Sequence, residues 1–401
     1  MSTRIKRIVG REILSSSSFP TLEVDVILEN GIRDRASVPY GASAGKYEAV
    51  TILDKDEKRF HGAGMLTAVE NVKRIESRLK GMDVLDQQAI DMAMVRMDGT
   101  NNKSRLGANA ILAVSLACSR AGAKATGQEL YEYIREKYEF KRRQTLPKPM
   151  MVMIEGGKHA DNSLDFQEFL VSCLINDTRE AIRAGVETYQ ELAILLKKDG
   201  YSTNVGNEGA YAPMLAGSEK ALKYIKEAIE HVGYEKLKLS LDPAASHFFN
   251  GKEYVMKREG KKFAPGEMIE YYKYLTERYG IFSIEDGLSE DDWDHWPIMR
   301  EKLHACMIIG DDLTVTNKNL LKKAVGMNAI NGMIIKPNQV GTLTETIETI
   351  RLAKENGISI IVSHRGGGET TDTFIVDLAV ACGADLLKVG PSRGERTVKY
   401  N

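Results

Sequence analysis

Six short apolar runs in the second half of this 401-residue sequence each stop at a side chain able to do chemistry. KLSLD ends at Asp242, FSIED holds Glu285, MIIGDD holds Asp311, GMIIK ends at Lys336, IIVSH ends at Ser363 and His364, and LLK ends at Lys388. Carboxylates converging from separate strands repel one another unless a cation sits among them, and an all-oxygen donor set suits Mg²⁺ or Mn²⁺ better than zinc. Two lysines in the same ring are expected to push one another, with the metal's help, toward neutrality, which makes one a candidate base near neutral pH. Such a set suits removal of a proton beside a carboxylate, with a divalent cation and cationic side chains stabilising the ene-diolate that forms. A single acidic residue at a strand end is more often a cap or a surface ion pair. Six polar run-ends in phase outweigh that reading.

The positioning elements follow from the spacing. Asp242, Glu285, Asp311, Lys336, His364 and Lys388 stand 43, 26, 25, 28 and 24 residues apart. One strand, turn and helix takes about that length in a (β/α)8 barrel of about 250 residues, which shows its chemistry at the C-terminal ends of its strands. The first 62 residues read instead as strands and turns: Leu22, Val24, Val26 and Leu28 alternate with Glu23, Asp25 and Ile27, and the small residues of YGASAGK (40–46) suit a connector or a lid. Helical periodicity begins near Gly64 with Met65, Val69, Val72, Ile75 and Leu79, and further helices are predicted near 86–97, 106–126 and 128–138. KRRQTLPKP (141–149) interrupts the pattern as a linker. The predicted organisation is a small α+β domain over 1–140 and an α/β barrel of TIM type over 141–401. His159 in GGKHAD and Glu208 in NVGNEGAY lie in glycine-containing segments that display polar groups, and His364 and Arg365 precede a flexible, anion-friendly GGG turn.

Composition excludes several alternatives. Lys and Arg number 55 against 56 Asp and Glu, so the net charge of −1 gives no field to attract a polyanion, and a nucleic-acid reader is disfavoured. No apolar run approaches the roughly 18 residues of a spanning helix. The start, MSTRIKRIVG, lacks the apolar core of a secretion signal, so a cytoplasmic location is expected. Cys118, Cys173, Cys306 and Cys382 are scattered without CxxC spacing and are expected to be buried thiols.

GREIL (10–14), PTLEVDV (20–26), GAS (41–43), NKSRLGANAILAVSLA (102–117), HADNSLDFQEF (159–169), SIED, GDDLTVTN (310–317), NQVGTLTE (338–345) and VSHR (362–365) resemble the enolase family across nearly the whole chain. The resemblance implies a lyase that dehydrates 2-phosphoglycerate to phosphoenolpyruvate, with two Mg²⁺ per site when substrate is bound. It implies that Asp242, Glu285 and Asp311 hold the tighter Mg²⁺ and that Ser43 helps hold the second and contacts substrate. Lys336 matches the base, and Glu208, with Glu168 beside it, the acid. His159, His364, Arg365 and Lys388 match groups that hold the substrate. A homodimer or higher homo-oligomer acting on a small phosphorylated carboxylate is expected, with no membrane or nucleic-acid partner.

Departures from the family pattern cluster near these positions. SSSSFP (15–20) stands for DSRGNP, Tyr40 for a small Ser, Glu155 for an Asn, Lys158 for a Ser, GNEGA for GDEGG, EDG for EDP and SHRGGGE for SHRSGE. Loss of an anion at Asn207 is expected to lower the pKa of Glu208 unless another group compensates. The family's Arg that pairs across the dimer near Glu23 lies in a tail beyond the last residue of this sequence. These changes keep open an enolase-like lyase with another phosphorylated or carboxylated substrate, and a noncatalytic binding protein.

Overall fold

A computed structural model describes residues 2–41, 45–141 and 146–401. The strand pattern near the start yields an antiparallel sheet of β1 (Ile5–Leu14), β2 (Pro20–Leu28) and β3 (Arg33–Ser37) in that order. Leu22, Val24, Val26 and Leu28 are fully buried, as period-two alternation requires for one covered face. That cover comes from helices α1 (Leu66–Leu79) and α3 (Ala108–Thr126), with α2 (Gln87–Asp98) and α4 (Leu130–Lys137) packed on α3. α3 is apolar nearly all round because it packs against the sheet on one side and faces the second half of the chain on the other.

The second half is a closed barrel built from β4 (Lys148–Glu155), β5 (Glu168–Cys173), β6 (Leu237–Asp242), β9 (Ser283–Glu285), β10 (Met307–Gly310), β11 (Gly332–Ile335), β12 (Ser359–Ser363) and β13 (Leu386–Lys388). The hairpin β7 (Tyr254–Met256) and β8 (Lys261–Phe263) stands apart from it. Around the barrel run α5 (Thr178–Lys198), α6 (Ser218–Val232), α7 (Pro265–Tyr279), α8 (Trp296–Lys302), α9 (Lys318–Gly326), α10 (Pro337–Val340), α11 (Leu343–Glu355) and α12 (Phe374–Cys382), with α13 (Thr397–Tyr400) last. The circular order is β4, β5, β6, β9, β10, β11, β12, β13, and only β5 runs antiparallel to its neighbours. The expected fold class is therefore found. The proposed boundary at 140/141 abuts residues 142–145, outside the described set, and the linker reading ends early because Lys148 and Pro149 already belong to β4.

Inside the barrel, Met150, Val152, Leu170, Ile309, Ile334, Ile361 and Leu386 form an apolar cluster separate from the main core. Since side chains alternate along a strand, the residue two positions beyond an inward one also points inward. Ile309 thus leads to Asp311, Ile334 to Lys336 and Leu386 to Lys388, while Leu170, on the reversed strand, leads back to Glu168. The barrel core and the chemistry above it share one register.

A buried carboxylate ties the two halves together. Asp91 of α2 accepts bonds from the backbone N–H and hydroxyl of Thr344 in α11 at 2.9 and 2.6 Å, and Ser115 of α3 accepts one from the N–H of Leu343 at 3.0 Å. Burial pushes the Asp91 carboxyl up to about 6. A carboxyl raised above its unfolded value stabilises the fold fully below about 4, and this contribution is lost as pH rises through about 6, worth on the order of 3 kcal/mol in all. Asp91→Asn removes that titration. The stability advantage of the wild type over Asp91→Asn is therefore expected to shrink between pH 4 and pH 7 in denaturant unfolding, and an advantage independent of pH would refute the assignment.

Candidate active site

The mouth of the barrel is an open cleft of about 550 Å³. Strand ends place Asp242, Glu285 and Lys388 as the last residues of β6, β9 and β13, and Asp311, Lys336 and His364 as the first residues beyond β10, β11 and β12. Glu168 opens β5, whose reversed direction brings its first residue to the same rim.

Lys388 is the hub of one flank. Its Nζ donates to Glu285 Oε1 at 2.7 Å and to Asp242 Oδ2 at 3.0 Å, and it pairs with Glu168 Oε2 at 2.9 Å. At the neighbouring ends of β10 and β11, Lys336 Nζ donates to Asp311 Oδ2, and Gln339 Nε2 donates to Asp311 Oδ1 at 2.7 Å. Thr316 orders this flank, its hydroxyl donating to Gln339 Oε1 at 2.7 Å and accepting from the Lys336 N–H at 2.9 Å.

The expectation that the two lysines are pressed toward neutrality is corrected by the arrangement of the protein's own groups. Burial alone would lower both, but Asp311 lifts Lys336 and the carboxylates of Asp242, Glu168 and Glu285 lift Lys388 above the ordinary lysine range. The sequence reading counted three carboxylates. The structure also brings in Glu168, and Asp286 and Asp312 stand beside Asp311. GDD and SIED carried the signal for the two added aspartates.

The third group is a buried cluster of acids and imidazoles. His159 Nδ1 lies 3.3 Å from Glu168 Oε1 and 3.4 Å from Glu208 Oε1, and His364 Nε2 lies 3.5 Å from Glu208 Oε2. Burial works to raise the Glu208 carboxyl, but His364 and His159 outweigh it and hold it well below the usual range. Burial opposes charge on His159 too, yet Glu208 and Glu168 carry it up to about 9. The GGG turn fits against this cluster, because a Cβ at Gly366 would fall on the Glu208 carboxylate.

Arg365 donates from Nη1 to Glu48 Oε2 at 2.6 Å, and both are buried. Ser43 lies outside the described residues. The structure thus brings Asp242, Glu285, Asp311, Lys336, Lys388, Glu168, Glu208, His159, His364 and Arg365 to one end of the barrel. Glu48 and Gln339 were not singled out in the sequence, since one sits in a loop of small residues and the other beyond a strand end.

The acidic flank suits a hard cation. Ligand atoms of Asp286, Asp311 and Asp312 lie within 4.8 Å of one another, a set that shares only Asp311 with the expected ligands Asp242, Glu285 and Asp311. Burial, reinforced by Asp242, raises the Glu285 carboxyl well above its ordinary value, and burial raises Asp242 as well. Glu285 Oε2 is buried with no hydrogen-bond partner among the described residues. Anionic oxygens that are dry, crowded and incompletely matched fit a divalent ion.

The four cysteines are buried free thiols, as expected, and no helix among the described residues is long and apolar enough to cross a membrane. Comparison with known families matches residues 143–401 to "Enolase, C-terminal TIM barrel domain" and residues 5–134 to "Enolase, N-terminal domain".

Proposed function

The chain belongs to the enolase family, and from that premise we propose that it reversibly dehydrates 2-phosphoglycerate to phosphoenolpyruvate through an ene-diolate, as a Mg²⁺-dependent step of glycolysis and gluconeogenesis. Enolase domains over both halves make it a lyase of the enolase superfamily, and proteins of this family generally use Mg²⁺. The observation that supports the specific reaction is the placement of Lys336 and Glu168 on β11 and β5, four steps apart around the eight-stranded barrel in either direction. Base and acid groups thus face each other across the cleft, as removal of a proton and of hydroxide from opposite faces requires.

Asp242, Glu285 and Asp311 would hold the cation, and Ser43 is assigned to a second one when substrate is bound. Mg²⁺ bound there supplies positive charge beside the substrate carboxylate, where negative charge builds in the ene-diolate. Lys336, whose ion-pair partner Asp311 would be among the ligands, would accept the proton from C2. Glu208, next to Glu168, would pass to the departing hydroxide a proton drawn from His159, the member of the cluster that stays protonated. His364, Arg365 and Lys388 hold the anionic ends of the substrate, and Arg365 must exchange Glu48 for them. A homodimer and a cytoplasmic location belong to the same proposal, and sedimentation tests the first.

A coupled assay with 2-phosphoglycerate and Mg²⁺ decides the matter, and turnover no better than that of Lys336→Ala would overturn the proposal. The seating of Glu208 on Gly366, where the family's usual Ser would project, favours a second reading in which the same proton chemistry acts on a related phosphorylated or carboxylated substrate. That reading gains if 2-phosphoglycerate is inert while a relative exchanges its α-proton in a metal-dependent way. A noncatalytic role requires that no such exchange occurs.

A further inference from the structure

Glu155 is fully buried and closes β4 at the rim of the barrel. Strict alternation from the inward Met150 and Val152 would aim Ile154 into the barrel and Glu155 away from it. An irregularity in the pairing between Val152 and Ile154 shifts the phase by one residue, so Glu155 stands opposite Glu168. Its carboxylate is spent on the backbone of the neighbouring loop. Oε2 accepts the N–H of Glu208 at 3.0 Å, and Oε1 accepts the N–H of Ala210 at 2.8 Å. Gly206 permits the approach, since a Cβ there would sit 2.6 Å from Glu155 Cδ.

Both oxygens of a carboxylate can accept, so Glu155 satisfies two N–H groups at once. An amide of the same length offers one acceptor and turns a donor toward the second N–H. Asn207 does not share this work, because it is exposed and its Nδ2 donates to Lys158 O at 3.4 Å. The acidic group that the loop lacks at position 207 is therefore supplied from β4. Its burial and the nearby Glu208 push the Glu155 carboxyl up to about 8, so near neutral pH it is mostly the neutral acid, whose two oxygens still offer lone pairs to these N–H groups.

We infer that Glu155 is a positioning residue for the water-eliminating half of the reaction: it fixes the 206–210 loop so that the Glu208 carboxylate stays between His159, His364 and the backbone of Gly366. The inference rests on the reading of Glu208 as the acid, and two rates separate its effect from general damage. Exchange of the C2 proton of 2-phosphoglycerate with solvent deuterium depends on Lys336, whereas release of phosphoenolpyruvate also depends on Glu208.

In the full chain with Mg²⁺, Glu155→Gln is expected to keep C2 exchange within about threefold of wild type while phosphoenolpyruvate formation falls about tenfold or more. Amide hydrogen exchange at Glu208 and Ala210 should accelerate about tenfold or more, with β5 and β6 unchanged. Equal losses in both rates, no loss in either, or unchanged amide protection would overturn the inference. If the wild type neither exchanges nor dehydrates 2-phosphoglycerate, the substrate proposal fails, and amide exchange alone then decides whether Glu155 holds the loop. Should Glu155→Gln not fold, Glu155→Asp keeps both acceptor oxygens but ends one methylene short. It is expected to show the same split at smaller size, and proportionate losses in it would equally count against the inference.

Discussion

Lys336→Ala is expected to lower phosphoenolpyruvate formation from 2-phosphoglycerate by about 10⁴-fold or more and to lower exchange of the C2 proton equally. The size follows from the absence of a substitute. The other side-chain nitrogen bonded to Asp311 is the amide of Gln339, which cannot act as a base. Lys388 is committed to Glu168, Asp242 and Glu285 on the opposite flank. Alanine also frees Asp311 from its ammonium partner while leaving its bond from Gln339, so a cation should be held no more weakly than before. Loss of both rates with Mg²⁺ binding retained is the expected signature, read by deuterium exchange and by calorimetric titration with Mg²⁺. Exchange continuing near the wild-type rate would remove Lys336 from the role of base.

Much of this site was legible because strands impose period two. Asp311, Lys336 and Lys388 each lie two residues beyond an apolar residue that fills the barrel, so one phase sets both core and chemistry. Run-ends therefore revealed the later strands. They could not reveal Glu168, which begins β5 rather than ending it, because the reversed direction of that strand leaves no mark in composition. Glu168 came from the resemblance instead. Glu155 was visible only as a departure, since the irregularity that turns it inward depends on how β4 pairs with β5. Among the protein's own groups the two lysines stay protonated, because Asp311 and Glu285 raise Lys336 while Asp242, Glu168 and Glu285 raise Lys388. The low position of the Glu208 carboxyl has its cause in His364 and His159.

Asp311→Ala is expected to abolish turnover and to weaken Mg²⁺ binding by about 10²-fold or more, since one carboxylate of a three-carboxylate site is lost. Activity alone would not separate metal loss from damage to Lys336, which loses its ion-pair partner in the same variant. Thermal unfolding supplies an independent readout, because an ion that binds only the folded chain raises the midpoint increasingly as its concentration exceeds its Kd. The wild-type midpoint should climb with added Mg²⁺ and fall back with chelator, while that of Asp311→Ala should stay flat over the same range. Asp311→Asn sharpens the comparison. It keeps an oxygen and nearly the same volume but removes the charge, so a flat response there assigns the effect to charge rather than to a cavity. A full Mg²⁺ response in both variants, or undiminished wild-type activity in excess chelator, would mean that the acids at the strand ends do not hold the ion, and that Lys388 among Asp242, Glu285 and Glu168 is their lasting counter-charge.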